Sequence, residues 1–239
     1  MAQLYTHGSR YQLGRWIANH PAELQQHVFE ASPSLASFAT GDLQWIAPTG
    51  PTDPRELRDQ FWEEIGLARP TPQSADWWPE RGPVWDAVAR VPGPNGQAGG
   101  VVVEAKGRLN EVSAGGCKAE GPSLEKIRNA LLDVQASLGI APNLGWLRAY
   151  YQMANRLAFL WFARLRGDEQ PLWLVWVYFL GEHYPTATGV SVGPEDPEAW
   201  APVIAEAHSE LGLPETHELS VFEATVFVPA LEPPEGSPA

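Results

Sequence analysis

The sequence predicts an α/β fold, a mixed central β-sheet flanked by helices, and three observations carry that expectation. Leu124, Ile127, Leu131, Val134 and Leu138 recur at the spacing of an amphipathic helix. Leu172 to Leu180 is an unbroken apolar run of strand length. Two runs rich in β-branched residues, Val84 to Val91 and Gly100 to Gly107, flank a Pro-Gly-Pro-Asn-Gly segment with the composition of a hairpin turn.

Taken in chain order, Met1 to Thr49 reads as a short helix over Ala22 to Phe29 and a short strand over Leu43 to Ala47. Asp53 followed by Pro54 has the form of a helix start. Leu57, Phe61 and Ile65 then follow at helical spacing up to Gly66, so they are expected to face inward. A Pro- and Trp-rich connection, Pro70 to Pro83, leads into the hairpin. Pro122-Ser123 opens the amphipathic helix and Gly139 ends it. A longer helix is expected from Leu144 to Leu165, then the Leu172 to Leu180 strand, a helix from Pro197 to Leu211 and a last strand from Ser220 to Val228. One domain over residues 1–228 is expected, because hydrophobic residues, 44% of the total, run through its whole length. The tail from Pro229 to Ala239, rich in Pro, Glu, Gly and Ser, reads as disordered.

The start of the chain lacks the basic and apolar pattern of a secretory signal, and the longest apolar run is about half the roughly 20 residues of a spanning helix. Neither export nor a membrane partner is expected. Cys117 is the only cysteine, which excludes an internal disulfide and a cysteine-based zinc cage and suits a cytoplasmic setting. The net charge of −13 opposes binding to a polyanion. Charge is unevenly placed, however: the 34 residues from Val134 to Gly167 hold no Asp or Glu but carry Arg148, Arg156, Arg164 and Arg166. The eleven tryptophans read as core, a partner surface or a stacking platform.

The chemistry concentrates in Val101-Val102-Val103-Glu104-Ala105-Lys106. Alternation along a strand points Glu104 and Lys106 to one face and Val101 and Val103 to the other. An unbroken apolar run implies a central strand covered on both sides, where an unpaired charge costs several kcal/mol. Lys106 is also one of only three lysines, against thirteen arginines. The bland reading is a structural Glu104–Lys106 ion pair. The functional one adds Asp86, in the preceding hairpin strand, which would sit opposite Glu104. Two carboxylates, with the Ala105 backbone carbonyl as a third oxygen, suit magnesium or manganese. His7, His20, His27, His183, His208 and His217 show no metal-ligand spacing, and Glu111 either lines the cleft or is a loop acid.

Asp86, followed eighteen residues later by Glu104-Ala105-Lys106 at the end of an apolar strand, resembles the signature of the PD-(D/E)xK nuclease superfamily. Trp85 stands where that signature has proline, with Pro83 close by. The resemblance implies a restriction-endonuclease-like three-layer core over about residues 54–228 and metal-dependent hydrolysis of DNA. Asp86, Glu104 and Lys106 would be catalytic, and Asp86, Glu104 and the Ala105 carbonyl would hold Mg or Mn. The resemblance adds an acid from the helix before the hairpin, Glu56 or Glu63, although the residues themselves read first as a solvated helix face. It further implies a polar strip of Gln152, Asn155 and Arg156, with Arg148 one turn before, that contacts the DNA strand or simply faces solvent. The alternative function is a catalytically inactive module of the same fold, presenting its acidic, tryptophan-rich exterior to a protein partner or a second copy. A carbohydrate-active protein is a third reading, in which Lys106 has no use.

Overall fold

The computed structural model describes residues 7–68, 77–80, 82–113, 115–166, 169–187 and 189–232. Three helices come first: α1 (Ser9–Asn19), α2 (Pro21–Ala31) and α3 (Pro33–Phe38), followed by strand β1 (Gln44–Ala47) and a single helical turn, α4 (Phe61–Glu64). Strands β2 (Ala87–Pro92) and β3 (Ala98–Lys106) form the expected hairpin. Helices α5 (Gly121–Ser137) and α6 (Tyr151–Trp161) lead to β4 (Leu172–Leu180). A small hairpin, β5 (His183–Thr186) and β6 (Gly189–Val192), precedes helix α7 (Pro197–Leu211) and the last strand, β7 (Glu223–Pro229).

The main sheet has the order β1-β2-β3-β4-β7, antiparallel from β1 to β3 and parallel from β3 to β7. β3 is its central strand. Pleating sends Val101, Val103 and Ala105 against Leu13, Trp16, Leu24 and Leu35 of α1 to α3. Val102, Leu174 and Tyr178 meet Leu131, Leu157 and Trp200 of α5, α6 and α7 on the opposite face. Helices therefore cover both sides of a mixed sheet, and both faces exclude water from β3.

Local chemistry accounts for the boundaries. Asp196 accepts from the Ala199 N–H at 2.7 Å to start α7, and Gly212 at φ 67° stops it. Asn95 and Gly96, at φ 56° and 76°, turn the β2–β3 hairpin. Ten of the eleven tryptophans are buried and Trp45 is partly so, which makes them core rather than an exposed platform.

Several expected elements differ. The helix from Asp53 shrinks to the α4 turn, because the Asp53 carboxylate accepts from the N–H groups of Thr49 and Arg55 and holds a local loop instead. Leu57, Phe61 and Ile65 are nonetheless buried, and Leu57 bridges to Trp85. The long helix from Leu144 breaks into a turn over Leu144–Leu147, capped by Asn143, then α6, then a wide turn over Phe162–Arg166. Helices α1 and α3 and the β5–β6 hairpin were not foreseen. The disorder expected from Pro229 onward fails for residues 229–232, where the Leu231 and Glu232 carbonyls accept from Arg15 and Pro229 O accepts from Trp16. Residues 233–239 lie outside the described residues, as does most of the Pro- and Trp-rich connection. No described helix is long and apolar enough to cross a membrane.

Candidate functional site

The hairpin register brings the three expected side chains to one end of the sheet. β3 pairs Glu104 with Trp176 and Lys106 with Tyr178 of β4, so both charges lie on the face covered by α6. Asp86 stands immediately before β2. Its N–H donates to Val103 O at 3.0 Å, and its Oδ2 accepts from the Ala105 N–H at 2.9 Å. The backbone of β3 thus positions the carboxylate that the preceding strand supplies.

Helix α6 contributes the rest. Lys106 Nζ donates to Glu104 Oε1 and, at 2.9 Å, to Gln152 Oε1. Arg156 Nε donates to Glu104 Oε2 at 2.8 Å, and Nη2 of the same guanidinium lies 2.6 Å from that oxygen. Nη2 also donates to Val84 O at 2.6 Å, Nη1 donates to Asn155 Oδ1 at 2.5 Å, and the guanidinium carbon sits 5.0 Å from the Trp85 ring centre. Arg156 and Asn155 are only 6% and 7% exposed, which corrects the expectation that they form a strand-contacting or solvent-facing strip. The reason is that α6 is buried from Met153 to Trp161, so its one cation must find a carboxylate inside. Gln152 is half-buried and faces Lys106. Arg148 lies in the turn before α6, exposed, in an open groove of about 400 Å³ with Asn143, Tyr150 and Glu210.

Two carboxylates and two cations make this cluster formally neutral. Burial pushes the Glu104 carboxyl up, but Arg156 and Lys106 outweigh it and hold the group below its ordinary range. Asp86 is pushed up to about 6, first by burial and then by the Glu104 charge, with Lys106 and the Ala105 N–H acting in the opposite direction. Burial also raises the Tyr151 hydroxyl, with the neighbouring Cys117 adding to the rise.

No protein-family model, curated protein or solved structure matches this chain. The site must therefore be read from its own chemistry. Asp86 and Glu104 are hard oxygen donors of the kind magnesium and manganese take, and such ions keep several waters when only two carboxylates bind them. Neither extra acid joins them. Glu56 is exposed and paired with Arg10 at 3.1 Å, and Glu63 points outward from α4. Among the described residues no group of three or more His, Cys, Asp or Glu side chains is placed to hold a metal ion. Of the oxygens expected to take a metal, only Asp86, Glu104 and the Ala105 carbonyl lie at this end of β3. Glu111 is a structural loop acid: it accepts from the Gly107 N–H at 2.9 Å and from Arg108 Nε at 2.8 Å.

The role of Arg156 was the main feature missed from sequence. A signal was present, since the helix expected from Leu144 to Leu165 holds no Asp or Glu, so a cation on its buried face must find a carboxylate elsewhere in the fold. Glu182 was missed as well. It is fully buried just past β4, and among the described residues its Oε2 has no hydrogen-bond partner.

Proposed function

We propose that the chain is a metal-dependent nuclease on a restriction-endonuclease-like core, hydrolysing DNA phosphodiesters at Asp86, Glu104 and Lys106. The observation that carries this reading is the convergence of Asp86, at the entrance to β2, and Glu104 of β3 with a buried lysine that is bonded to both Glu104 and Gln152. A structural ion pair needs neither the second carboxylate nor the glutamine.

In this reading Asp86 and Glu104, with the Ala105 carbonyl, hold Mg or Mn. A divalent ion at that position supplies an activated water and a counter-charge for a phosphate oxygen. The Ala105 N–H keeps Asp86 aimed at the site, and Arg156 keeps Glu104 ionised. Lys106, steered by Gln152, orients the attacking water and stabilises charge developing on the phosphate. Arg148, exposed before α6, is the cation best placed among the expected nucleic-acid contacts to meet the backbone of the strand.

The test is incubation of the full chain with plasmid and single-stranded DNA in Mg²⁺ and in Mn²⁺. Wild type is expected to cleave, with a loss of at least about 100-fold in Asp86→Asn, Glu104→Gln and Lys106→Ala. Equal cleavage by wild type and Lys106→Ala would remove Lys106 from the chemistry.

One observation favours a second reading, a catalytically inactive module acting as a protein-interaction or scaffold component. Both Glu104 oxygens are bonded to cations of the chain itself, so the cluster is balanced without an added ion. Such a module would show no rise in melting temperature with Mg²⁺ or Mn²⁺, whereas a metal-holding site rises with ion concentration.

A further inference from the structure

The two oxygens of Glu104 are held in different ways. Oε2 takes Nε and Nη2 of Arg156, which also donates to Val84 O and Asn155 Oδ1 and whose face lies over Trp85. Releasing that oxygen would strand a buried guanidinium among apolar side chains of α6. Oε1 takes the Lys106 ammonium, a single group on a flexible four-carbon stem. The ammonium also has a second acceptor in place, Gln152 Oε1 at 2.9 Å, so it can leave Glu104 without losing every partner.

Resting on the nuclease reading above, we propose that Glu104 Oε1 is an exchange position, held by Lys106 in the resting protein and ceded to a divalent cation, while Arg156 retains Oε2. Asp86, tied to the Ala105 N–H, is the second carboxylate the incoming cation meets. The displaced ammonium stays on Gln152, next to the ion, where a phosphate oxygen or an attacking water would arrive. The distribution of residue types matches the two tasks. A planar, multiply bonded arginine serves the fixed contact, and a compact ammonium with rotatable donors serves the one that must open. Ion binding and the release of Lys106 are then one event, so the lysine is freed for catalysis only when the metal is present.

The test is calorimetric titration of the full chain with Mn²⁺, each variant first checked for an intact melting transition. Lys106→Met removes the competitor, and its Mn²⁺ affinity is expected to rise at least about tenfold. Gln152→Leu leaves every charge in place but takes away the acceptor that receives the displaced ammonium, and its affinity is expected to fall severalfold. Unchanged affinity in Lys106→Met overturns the exchange. A rise in Lys106→Met with no change in Gln152→Leu also overturns it, since that pattern is simple repulsion at a distance. Mn²⁺ binding that survives Asp86→Asn unchanged, or no binding by any form, overturns the metal site itself, a result distinct from failure of the exchange alone.

Discussion

Glu104 and Glu182 are both buried glutamates at the same end of the sheet, 2% and 0% exposed, yet their surroundings drive them in opposite directions. Glu104 lies near the end of β3 between Arg156 and Lys106 and is held below its ordinary range. Glu182, just past β4, accepts from the Gly8 N–H at 2.6 Å, and its Oε2 has no hydrogen-bond partner among the described residues. Burial, with the nearby Glu111 charge adding to it, pushes Glu182 up to about 7 against the pull of the Gly8 N–H and Arg108. Arg108 is spent elsewhere, bonded to Glu111 and lying 4.6 Å over the Tyr184 ring. Burial alone therefore does not set the charge of a carboxyl group. The cation within contact does.

The largest effect expected from breaking this contrast is at Arg156. Arg156→Met removes half of the compensation around Glu104 and should cost about 3–5 kcal/mol, because a charge stays buried after its partner is gone. Urea unfolding measures this, and a loss below about 1 kcal/mol would mean that Lys106 alone suffices.

An intermediate effect is expected at Gly107, where an added Cβ would lie 1.7 Å from Glu182 Oε2. Gly107→Ala should destabilise by about 1–3 kcal/mol through overpacking. The penalty should shrink in a Glu182→Ala background, a double-mutant cycle that isolates the contact. Equal penalties in both backgrounds would place the strain elsewhere.

The same contrast has a pH dependence at Glu182. Its folded pKa is raised from 4.5 to about 7, so between those values the native state holds a proton that the unfolded chain has lost. Stability from this group is present at low pH and declines as pH rises from about 4.5 to 7. Glu182→Gln cannot ionise, and its melting temperature should fall less than that of wild type between pH 5 and pH 8. An identical slope in the two proteins would show that Glu182 carries no such shift.

Much of the fold was legible because it rests on local periodicity. The alternation through Val101 to Lys106 placed Glu104 and Lys106 on one face and Val101 and Val103 on the other, and the apolar run from Leu172 to Leu180 is β4 residue for residue. The hairpin turn was legible from Pro94-Asn95-Gly96, which also brought Asp86 alongside β3. Each of these depends on side-chain direction or turn geometry within a few residues, and a strand or helix imposes that geometry wherever it forms. The tertiary structure decided what periodicity does not encode. It replaced the helix expected from Asp53 with a loop, since Leu57 could pair with Trp85 across the hairpin entrance. It turned Arg156 inward, because a charge enclosed by packed helices must meet an opposite charge from a distant strand, and that meeting is fixed only when α6 closes over β3.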